Sequence, residues 1–326
     1  MNYLGRAFWL SFIGFACSSQ VKIEQLPSPR SLCGEGPHWD VATQSLYYID
    51  IEGPESTILR YDYKENKTYP ATVDNVPLMT FVLPIENSTD EFLVGSDTIA
   101  KVIRWDGKSS KGQYVRDAFA VESGDYYSTN RFNDAKCDPV GRFFGGTQRY
   151  NECKGPFNVA TASLYRYDRQ IGVKHLKGNV FISNGLTWVA NKFYYIDSCA
   201  HDLKEFDYNI ETGDISNERT MFLNRVDGKT PDFVLDGMTS DVEGNLYIAT
   251  YNGHKVFKLN PKTSEVLAEY VFPNVSKITS VAFGGPNLDI LYATTATRGD
   301  TQDEAGHLYK ITGLGTKGSA GVKVKL

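Results

Sequence analysis

The chain has 326 residues and a net charge of −5, with 41% hydrophobic and 22% charged residues. This is the composition of an ordinary soluble globular protein, and the acidic balance leaves no basic face for nucleic acid. The length alone would allow two domains, but related segments follow one another without a linker. We therefore expect a single domain over residues 20–326.

Residues 1–19 have the organisation of a secretory signal peptide. Arg6 supplies the basic region, an apolar segment follows at 7–17, and small residues at 16–19 offer a cleavage site. The apolar segment is too short to span a membrane, and no other segment is long enough. Three N-glycosylation sequons agree with export, and they begin at Asn66, Asn87 and Asn274. We expect a secreted glycoprotein, with a cytoplasmic location as the alternative.

Six segments of the chain repeat one pattern, in which an apolar run leads through a turn to a second short strand. The clearest copy is the run at 193–197, which leads to Phe206-Asp207. A period of about 50 residues, with room for about four short strands in each unit, indicates a propeller. The sequence predicts an all-β, six-bladed β-propeller with four-stranded antiparallel blades around a central channel. An irregular β-sandwich is the alternative. The six apolar runs begin at Leu46, Phe92, Phe143, Phe193, Leu246 and Leu291.

Four of the six runs have an oxygen-bearing side chain 9 to 11 residues ahead of them: Glu35, Asn133, Asn184 and Asp236. Equivalent positions in successive blades are related by rotation about the channel, so these side chains should point into one central space. Two carboxylates and two amides form a cluster of hard oxygen ligands, which suits Ca²⁺, Mg²⁺ or Mn²⁺. Each residue alone is also compatible with an ordinary hairpin turn.

The remaining polar residues of these segments suggest further roles. Arg131 precedes the strand of the third unit and is expected to hydrogen-bond substrate oxygens over the channel. Asp134 and Lys136 either pair with each other or fix the loop. Asp236 is the candidate general base, beside a metal-bound water.

Two units lack such a carboxylate or amide. Residues 80–83 of the second unit offer no polar residue in this position, so that unit should supply packing and a pocket wall. The segment at 279–285 offers only hydroxyls. The Gly- and Lys-rich tail at 313–326 is expected to pair one strand with the N-terminal segment, because open sheet edges are a liability.

The chain has five cysteines, of which Cys17 falls in the predicted signal peptide. An even number remains, which permits disulfides in a secreted protein. Cys137 and Cys153 flank one predicted pair of strands and are candidates to face each other, but all three pairings of Cys33, Cys137, Cys153 and Cys199 stay open. The five histidines show no Cys/His spacing for zinc.

Several of these segments resemble the signature segments of the regucalcin (senescence marker protein)/gluconolactonase family. They are GEGP at 34–37, RFNDAK at 131–136, SNGL at 183–186, DGM at 236–238 and FGGPN at 283–287. The C-terminal segments at 312–315 and 321–326 are similar to the insect branch, which includes the luciferin-regenerating enzyme. The resemblance covers nearly the whole chain after the predicted signal peptide.

This resemblance implies a six-bladed propeller with one divalent metal in its channel, which could be Ca, Zn, Mg or Mn. It also implies metal ligands at Glu35, Asn184 and Asp236, and a substrate-contacting pair at Arg131 and Asn133. Asp236 matches the position proposed as general base.

One segment departs from the family's pattern. Sugar-lactone members carry a Glu shortly after a Gly-Thr-Met segment, where it contacts substrate hydroxyls. Here residues 146–152 read GTQRYNE, so Asn151 falls in that position and Glu152 is one residue late. Metal chemistry is therefore better supported by the sequence than a preference for an aldonolactone.

The sequence has no nucleophile elbow, no P-loop and no dinucleotide fingerprint. We expect a monomeric, metal-dependent hydrolase of a lactone or similar cyclic ester, acting on a small molecule without nucleic acid or a membrane span. One alternative is an enzyme of the luciferin-regenerating type that acts on an aromatic heterocycle. Another is a regucalcin-like protein that binds calcium or a small ligand without turnover.

Overall fold

The computed structural model describes residues 20–53, 55–149, 153 and 159–326. The predicted signal peptide at 1–19, and Asn151 and Glu152, lie outside the described residues. Within them the chain forms β-strands and two 3₁₀ helices of three residues each, Asp125–Tyr127 and Ser198–Ala200. The predicted all-β class is confirmed. In the described part of the chain, no helix has the length and apolar character needed to cross a membrane.

The strands of the first half of the chain, in order, are β1 (Lys22–Gln25), β2 (Gly34–Asp40), β3 (Ser45–Asp50), β4 (Thr57–Asp62), β5 (Lys67–Val73), β6 (Val82–Pro84), β7 (Glu91–Ser96), β8 (Ile99–Arg104), β9 (Lys111–Ala120), β10 (Arg131–Cys137), β11 (Phe143–Gln148) and β12 (Ala162–Asp168). Those of the second half are β13 (Gly172–Val180), β14 (Ser183–Val189), β15 (Lys192–Asp197), β16 (Asp202–Tyr208), β17 (Ile215–Leu223), β18 (Val234–Ser240), β19 (Leu246–Tyr251), β20 (Lys255–Asn260), β21 (Glu265–Val271), β22 (Ile278–Gly284), β23 (Ile290–Thr295) and β24 (Tyr309–Thr312).

The described strands form four sheets of four strands and one sheet of eight. Three of the four-stranded sheets are antiparallel runs of consecutive strands, β10–β13, β14–β17 and β18–β21, and the fourth joins β1 to β22–β24. In the larger sheet, the antiparallel runs β2–β5 and β6–β9 meet edge to edge through two parallel residue pairs, Thr72 with Lys111 and Val73 with Gly112. The predicted four-stranded antiparallel blades in a propeller-like arrangement are therefore confirmed, whereas six separate sheets are not seen.

The repeated apolar run of the sequence is the second strand of each unit, namely β3, β7, β11, β15, β19 or β23. These strands are covered on both faces, and in β15 every residue after Lys192 is buried. A strand buried on both faces has no solvent side, so it reads as a continuous apolar run rather than an alternation. Phe193 is representative, because its ring lies within 6 Å of the rings of Phe144, Trp188 and Phe206.

The first strands of the units lie side by side at the axis. Each contacts the next in the closed order β2, β6, β10, β14, β18, β22 and back to β2. Glycine permits this approach at two points. A Cβ on Gly185 would lie 2.7 Å from the carbonyl oxygen of Asp236, and one on Gly237 would lie 2.0 Å from the Oγ of Ser280. Both distances are below any real Cβ contact, so a side chain at either position would force the strands apart.

The N-terminal strand closes the arrangement, but with a different partner from the one predicted. β1 pairs with β24, from Lys22 opposite Thr312 to Gln25 opposite Tyr309. The expectation that the tail at 313–326 supplies this strand is wrong, because Gly313 and Gly315 adopt positive φ angles and turn the chain away from the sheet.

The tail instead runs across several units. The backbone N–H of Val242 donates to Lys317, that of Val324 donates to Pro84, and that of Lys325 donates to Gly141.

Among the described cysteines, one disulfide joins Cys153 to Cys199, while Cys33 and Cys137 are free. The suggested approach of Cys137 to Cys153 is wrong. Cys137 ends β10 opposite Phe143 at the start of β11, whereas Cys153 follows the other end of β11. The length of these strands, about 20 Å at 3.3 Å per residue, separates the two positions.

Candidate metal and substrate site

The four predicted oxygen-bearing residues all lie at irregularities in first strands. The pairing register shifts between Glu35 and His38 in β2, Phe132 and Ala135 in β10, Asn184 and Leu186 in β14, and Leu235 and Met238 in β18. A β-bulge re-aims the side chains of its extra residues and is common beside functional sites. In contrast, β6 pairs with β7 without a shift and carries no polar side chain.

Burial at these bulges is nearly complete. Glu35 and Asn133 are 8% exposed, and Asn184 and Asp236 are 5% exposed. Two carboxyls and two amides are therefore held near the axis with little access to bulk water. Buried polar groups of this kind need partners, and buried charges need compensation.

Three carboxyl groups act on one another in this region. Burial, together with a smaller effect of the Asp134 charge, raises the pKa of Glu35 from 4.5 to about 8. Burial also raises the pKa of Asp236 well above its usual value, and the charges of Glu35 and Asp134 add to this effect. Burial raises the pKa of Asp134 as well, while Lys136 opposes that shift. The charge of Asp134 acts on Glu35, and the charges of both act on Asp236, so the three carboxyls lie in one region whose negative charge favours a bound cation.

Two basic side chains lie close to these acids. The Nζ of Lys136 donates to the carbonyl oxygen of Met238 at 2.6 Å, so this side chain joins β10 to β18. Lys136 thus affects the pKa of Asp134 while its hydrogen bond goes to a neighbouring backbone. Burial lowers the pKa of Arg131, and the nearby Cys33 and Glu52 oppose the shift.

A line of hydrogen bonds connects the third, fourth and fifth units. The Nη1 of Arg131 donates to Asn133 Oδ1 at 3.1 Å, and Asn133 Nδ2 donates to Asn184 Oδ1 at 3.2 Å. Asn184 Nδ2 donates to the Oγ of Ser198 at 2.8 Å, and that hydroxyl donates to the carbonyl of Leu235 at 2.7 Å. The structure therefore brings Arg131, Asn133 and Asn184 into one network that ends on the residue before Asp236.

The aspartates that end two of the repeated apolar runs have a structural role. Asp197 accepts the backbone N–H groups of Phe181 and Ile182 at 3.0 and 3.1 Å. Asp50 accepts those of Leu32 and Cys33 at 3.1 and 2.9 Å. In these two units the carboxylate holds the segment that leads into the first strand, and so it fixes where the bulge begins.

Sequence reasoning did not identify two residues of this site. Asp134 is the second residue of its bulge and acts on Glu35 and Asp236, whereas the sequence predicts only that it pairs with Lys136 or fixes the loop. Ser198 directly follows β15, and its position beside Asn184 follows from the antiparallel pairing of Ser183 with Asp197. Because the two strands are antiparallel, the end of the second strand lies beside the start of the first. A polar residue just after an apolar run is therefore the sequence signal for a residue such as Ser198.

The donor atoms fit a hard divalent cation. Among the described residues, no three His, Cys, Asp or Glu side chains come together as a metal site. The predicted ligand set is not a group of three such side chains, because it combines the carboxylates of Glu35 and Asp236 with an amide oxygen. Asn184 directs its NH₂ group to Ser198, and its carbonyl oxygen, which accepts one hydrogen bond from Asn133, keeps a second lone pair for a cation. Two carboxylates and one carbonyl oxygen are ligands that Ca²⁺, Mg²⁺ and Mn²⁺ accept.

The propeller-like arrangement of antiparallel blades, with buried acids and amides on bulged strands at its axis, places the protein in the β-propeller class. Comparisons with known proteins specify the family. The family described as SMP-30/Gluconolactonase/LRE-like region matches residues 33–297. The chain belongs to this family.

Its relatives match over nearly their whole length. Regucalcin from Pongo abelii is 35% identical over 310 residues, which cover 93% of this chain and 98% of regucalcin. The solved luciferin-regenerating enzyme is 37% identical, with a TM-score of 0.85 over 94% of this chain and 100% of that enzyme. A calcium-binding regucalcin from Agrobacterium tumefaciens shares the fold, with 19% identity and a TM-score of 0.77 over 93% and 97% of the two chains. The resemblance predicted from sequence is confirmed, and it indicates a lactonase-like or regucalcin-like function.

Proposed function

We propose that this protein is a metal-dependent hydrolase of a lactone or a similar cyclic ester. The observation that supports this most strongly is the group of three buried, mutually repelling carboxyls beside the oriented amide of Asn184. Glu35, Asn184 and Asp236 would hold one divalent cation there. Membership of a family named in part for gluconolactonases supports hydrolysis.

The residues around the cation would each have a defined task. A divalent cation held by Glu35, Asn184 and Asp236 would polarise an ester carbonyl and lower the pKa of a neighbouring water. Asp236 accepts the proton of the attacking water at its carboxylate, which is the role of a general base. Arg131 and Asn133, joined by a hydrogen bond, orient the substrate oxygens. Low solvent exposure excludes bulk water and strengthens each of these interactions.

The test is hydrolysis of a panel of lactones by the purified protein, after chelation and after addition of Ca²⁺, Zn²⁺, Mg²⁺ or Mn²⁺. We expect turnover only with added cation. Asp236→Asn keeps the side-chain shape and an amide oxygen but removes the basic carboxylate. It should lower kcat by at least about 100-fold, the usual contribution of a positioned general base. A variant that binds the cation and hydrolyses lactones at the parent rate would show that Asp236 is not the base.

A second candidate is an enzyme of the luciferin-regenerating type acting on an aromatic heterocycle. The 37% identity to the solved luciferin-regenerating enzyme favours it. A third is a regucalcin-like protein that binds calcium or a small ligand without turnover, as the curated regucalcins suggest. Turnover of aromatic heterocycles but not lactones would select the second, and cation binding without turnover of either class would select the third.

We further propose that the eight-stranded sheet is two blades of one six-bladed, single-domain propeller over residues 20–326. The runs β2–β5 and β6–β9 are each antiparallel and touch through only two residue pairs. Six first strands already contact one another in a closed order. Separate protease-resistant fragments in limited proteolysis would contradict a single domain.

We also propose that the protein is exported as a monomeric glycoprotein after cleavage near Ser18 or Ser19. The sequon residues Asn66, Asn87 and Asn274 are exposed, so each is accessible to glycosylation. Mass spectrometry of the mature protein should find a new N-terminus and glycans. Recovery of intact Met1 from cytosolic protein would refute export.

A further inference from the structure

We propose that Ser198 is a positioning residue that fixes the orientation of the Asn184 amide toward the cation. This inference rests on the proposed function, because it concerns a ligand of the metal site described there. Ser198 is 2% exposed and makes no direct contribution to the ligand set. Its effect is exerted through the two hydrogen bonds of its hydroxyl.

Which atom donates in each of these hydrogen bonds is determined by the atom at the other end of the chain of bonds. The carbonyl of Leu235 can only accept, so the hydroxyl hydrogen of Ser198 must point at it. The same oxygen then has only lone pairs left for Asn184. An amide that meets a lone pair must present its NH₂ group, which is the arrangement seen at 2.8 Å.

At the other end of the network, Arg131 and Asn133 favour the same orientation of the Asn184 amide. Arg131 carries only donors, and it meets the Oδ1 of Asn133 at 3.1 Å. The Nδ2 of Asn133 faces the carbonyl of Ser183 at 2.8 Å, which can only accept. Asn133 therefore presents an N–H group to Asn184, whose facing atom must be oxygen.

The consequence for a cation is direct. The two ends of an amide have nearly the same shape but opposite charge, so a flipped Asn184 would turn an NH₂ group toward the cation. Ser198 accepts the NH₂ group on the side of Leu235 and leaves the oxygen on the opposite side. The N–H of Ser198 donates to Ile182 at 3.1 Å, and Cys199 next to it is fixed by the disulfide, so the hydroxyl itself is held in place.

The experiment measures the affinity of the purified protein for Ca²⁺ and for Mn²⁺ alone by titration calorimetry. Ser198→Ala should weaken binding by about 10-fold to 100-fold, as loss of a group that orients a metal ligand usually does. Ser198→Thr keeps the hydroxyl and should stay near the parent affinity. Ser96→Ala is the matched control, since the Ser96 hydroxyl is buried and has no hydrogen-bond partner in the described part of the chain.

Repeating the Ser198→Ala substitution in a second variant, Asn184→Asp, distinguishes an effect on the orientation of the Asn184 amide from a general effect on the fold. In Asn184→Asp both ends of the side chain are oxygen, so there is no wrong orientation to exclude. Ser198→Ala should then weaken cation binding by less than about threefold, which gives a large coupling between the two sites. An equal loss in both backgrounds would mean that Ser198 only supports the fold, and would overturn the proposal.

The remaining outcomes are also decisive. A parent protein that binds neither cation overturns the proposed function and this inference together. A parent that binds while Ser198→Ala binds equally overturns the inference alone.

Should Ser198→Ala fail to fold, selective ¹⁵N labelling of asparagine in the parent protein provides a measurement without that variant. The Asn184 side-chain signals, assigned by their loss in Asn184→Asp, should be protected from hydrogen exchange, and exchange at the rate of a free amide would overturn the proposal.

Discussion

The second strand of each unit and the first strand beside it differ in both regularity and chemistry. β15 is regular, apolar and buried on both faces, whereas β14 and β18 are bulged and place an amide and a carboxyl at the axis. Apolar burial stabilises the fold, while buried acids that repel one another oppose it. The contrast shows that one repeating unit separates the residues that hold the fold together from those that form the site.

The largest expected effect on stability is in a second strand. Phe193→Ala should lower the free energy of unfolding by about 3–5 kcal/mol, because it opens a cavity among aromatic rings. Cation affinity of the folded fraction should change little. Denaturant unfolding and calorimetry measure the two quantities, and Phe193→Leu should cost clearly less. A strong loss of cation affinity in folded Phe193→Ala protein would remove the distinction between the two strands.

An Asp-to-Asn substitution should change the free energy of unfolding in opposite directions in a first strand and in a second strand. In metal-free protein at neutral pH, Asp236→Asn should raise the free energy of unfolding by roughly 1–3 kcal/mol, since it removes one of three repelling acids. Asp197→Asn should lower it by about 1–3 kcal/mol, because the carboxylate accepts two backbone N–H groups and an NH₂ group cannot replace the second oxygen. Thermal unfolding of both variants checks the pair, and a common sign would contradict the contrast.

A pH dependence should follow from the raised pKa of Glu35. Burial raises this pKa from 4.5 to about 8, so the folded, metal-free protein keeps a proton that the unfolded chain releases. The stability that comes from this proton is complete below about 4.5 and is lost as the pH rises to about 8.

A bound cation replaces that proton, so the rise in Tm on adding Ca²⁺ should grow over the same window. The measurement is Tm with and without Ca²⁺ from pH 5 to 9, with Glu35→Gln as the control. A cation-induced shift that is equal at pH 5 and pH 9 would argue against Glu35 as a ligand.

The smallest effect distinguishes two threonines near first strands. Thr279 in β22 donates to the carbonyl of Gly34 at 2.5 Å, so Thr279→Val should cost about 1 kcal/mol. Thr80 lies just ahead of β6, and its hydroxyl is buried without a hydrogen-bond partner in the described part of the chain. Thr80→Val should therefore be neutral within about 0.5 kcal/mol in denaturant unfolding. A larger cost at Thr80 would mean that the region around β6 has a polar function as well.

Much of this contrast was predictable from sequence because it is local. A strand buried on both faces must be apolar throughout, so the run at 193–197 identified β15. The oxygen-bearing residues ahead of four of the six runs, Glu35, Asn133, Asn184 and Asp236, were also evident from the sequence, although the bulges at which they lie were not. In contrast, the edge contact between β5 and β9 and the pairing of β1 with β24 depend on how distant units meet.

The site was predictable in outline and not in detail. Asn184 and Asp236 follow from their places in the repeat, but Asp134 depends on how many residues a bulge contains. The role of Ser198 depends on which carbonyl its hydroxyl reaches, and the pairing of Cys153 with Cys199 depends on the approach of two loops from different units. Each of these features depends on tertiary contacts, which the sequence of a single repeat does not specify.

If four bulged strands gather one cation site, anomalous diffraction from crystals grown with Mn²⁺ should locate the ion there. We expect one strong anomalous peak with oxygens of Glu35, Asn184 and Asp236 at roughly 2.0–2.6 Å, and Asn133 beside it. A peak elsewhere, or these side chains more than about 8 Å apart and beyond any shared coordination sphere, would contradict the claim.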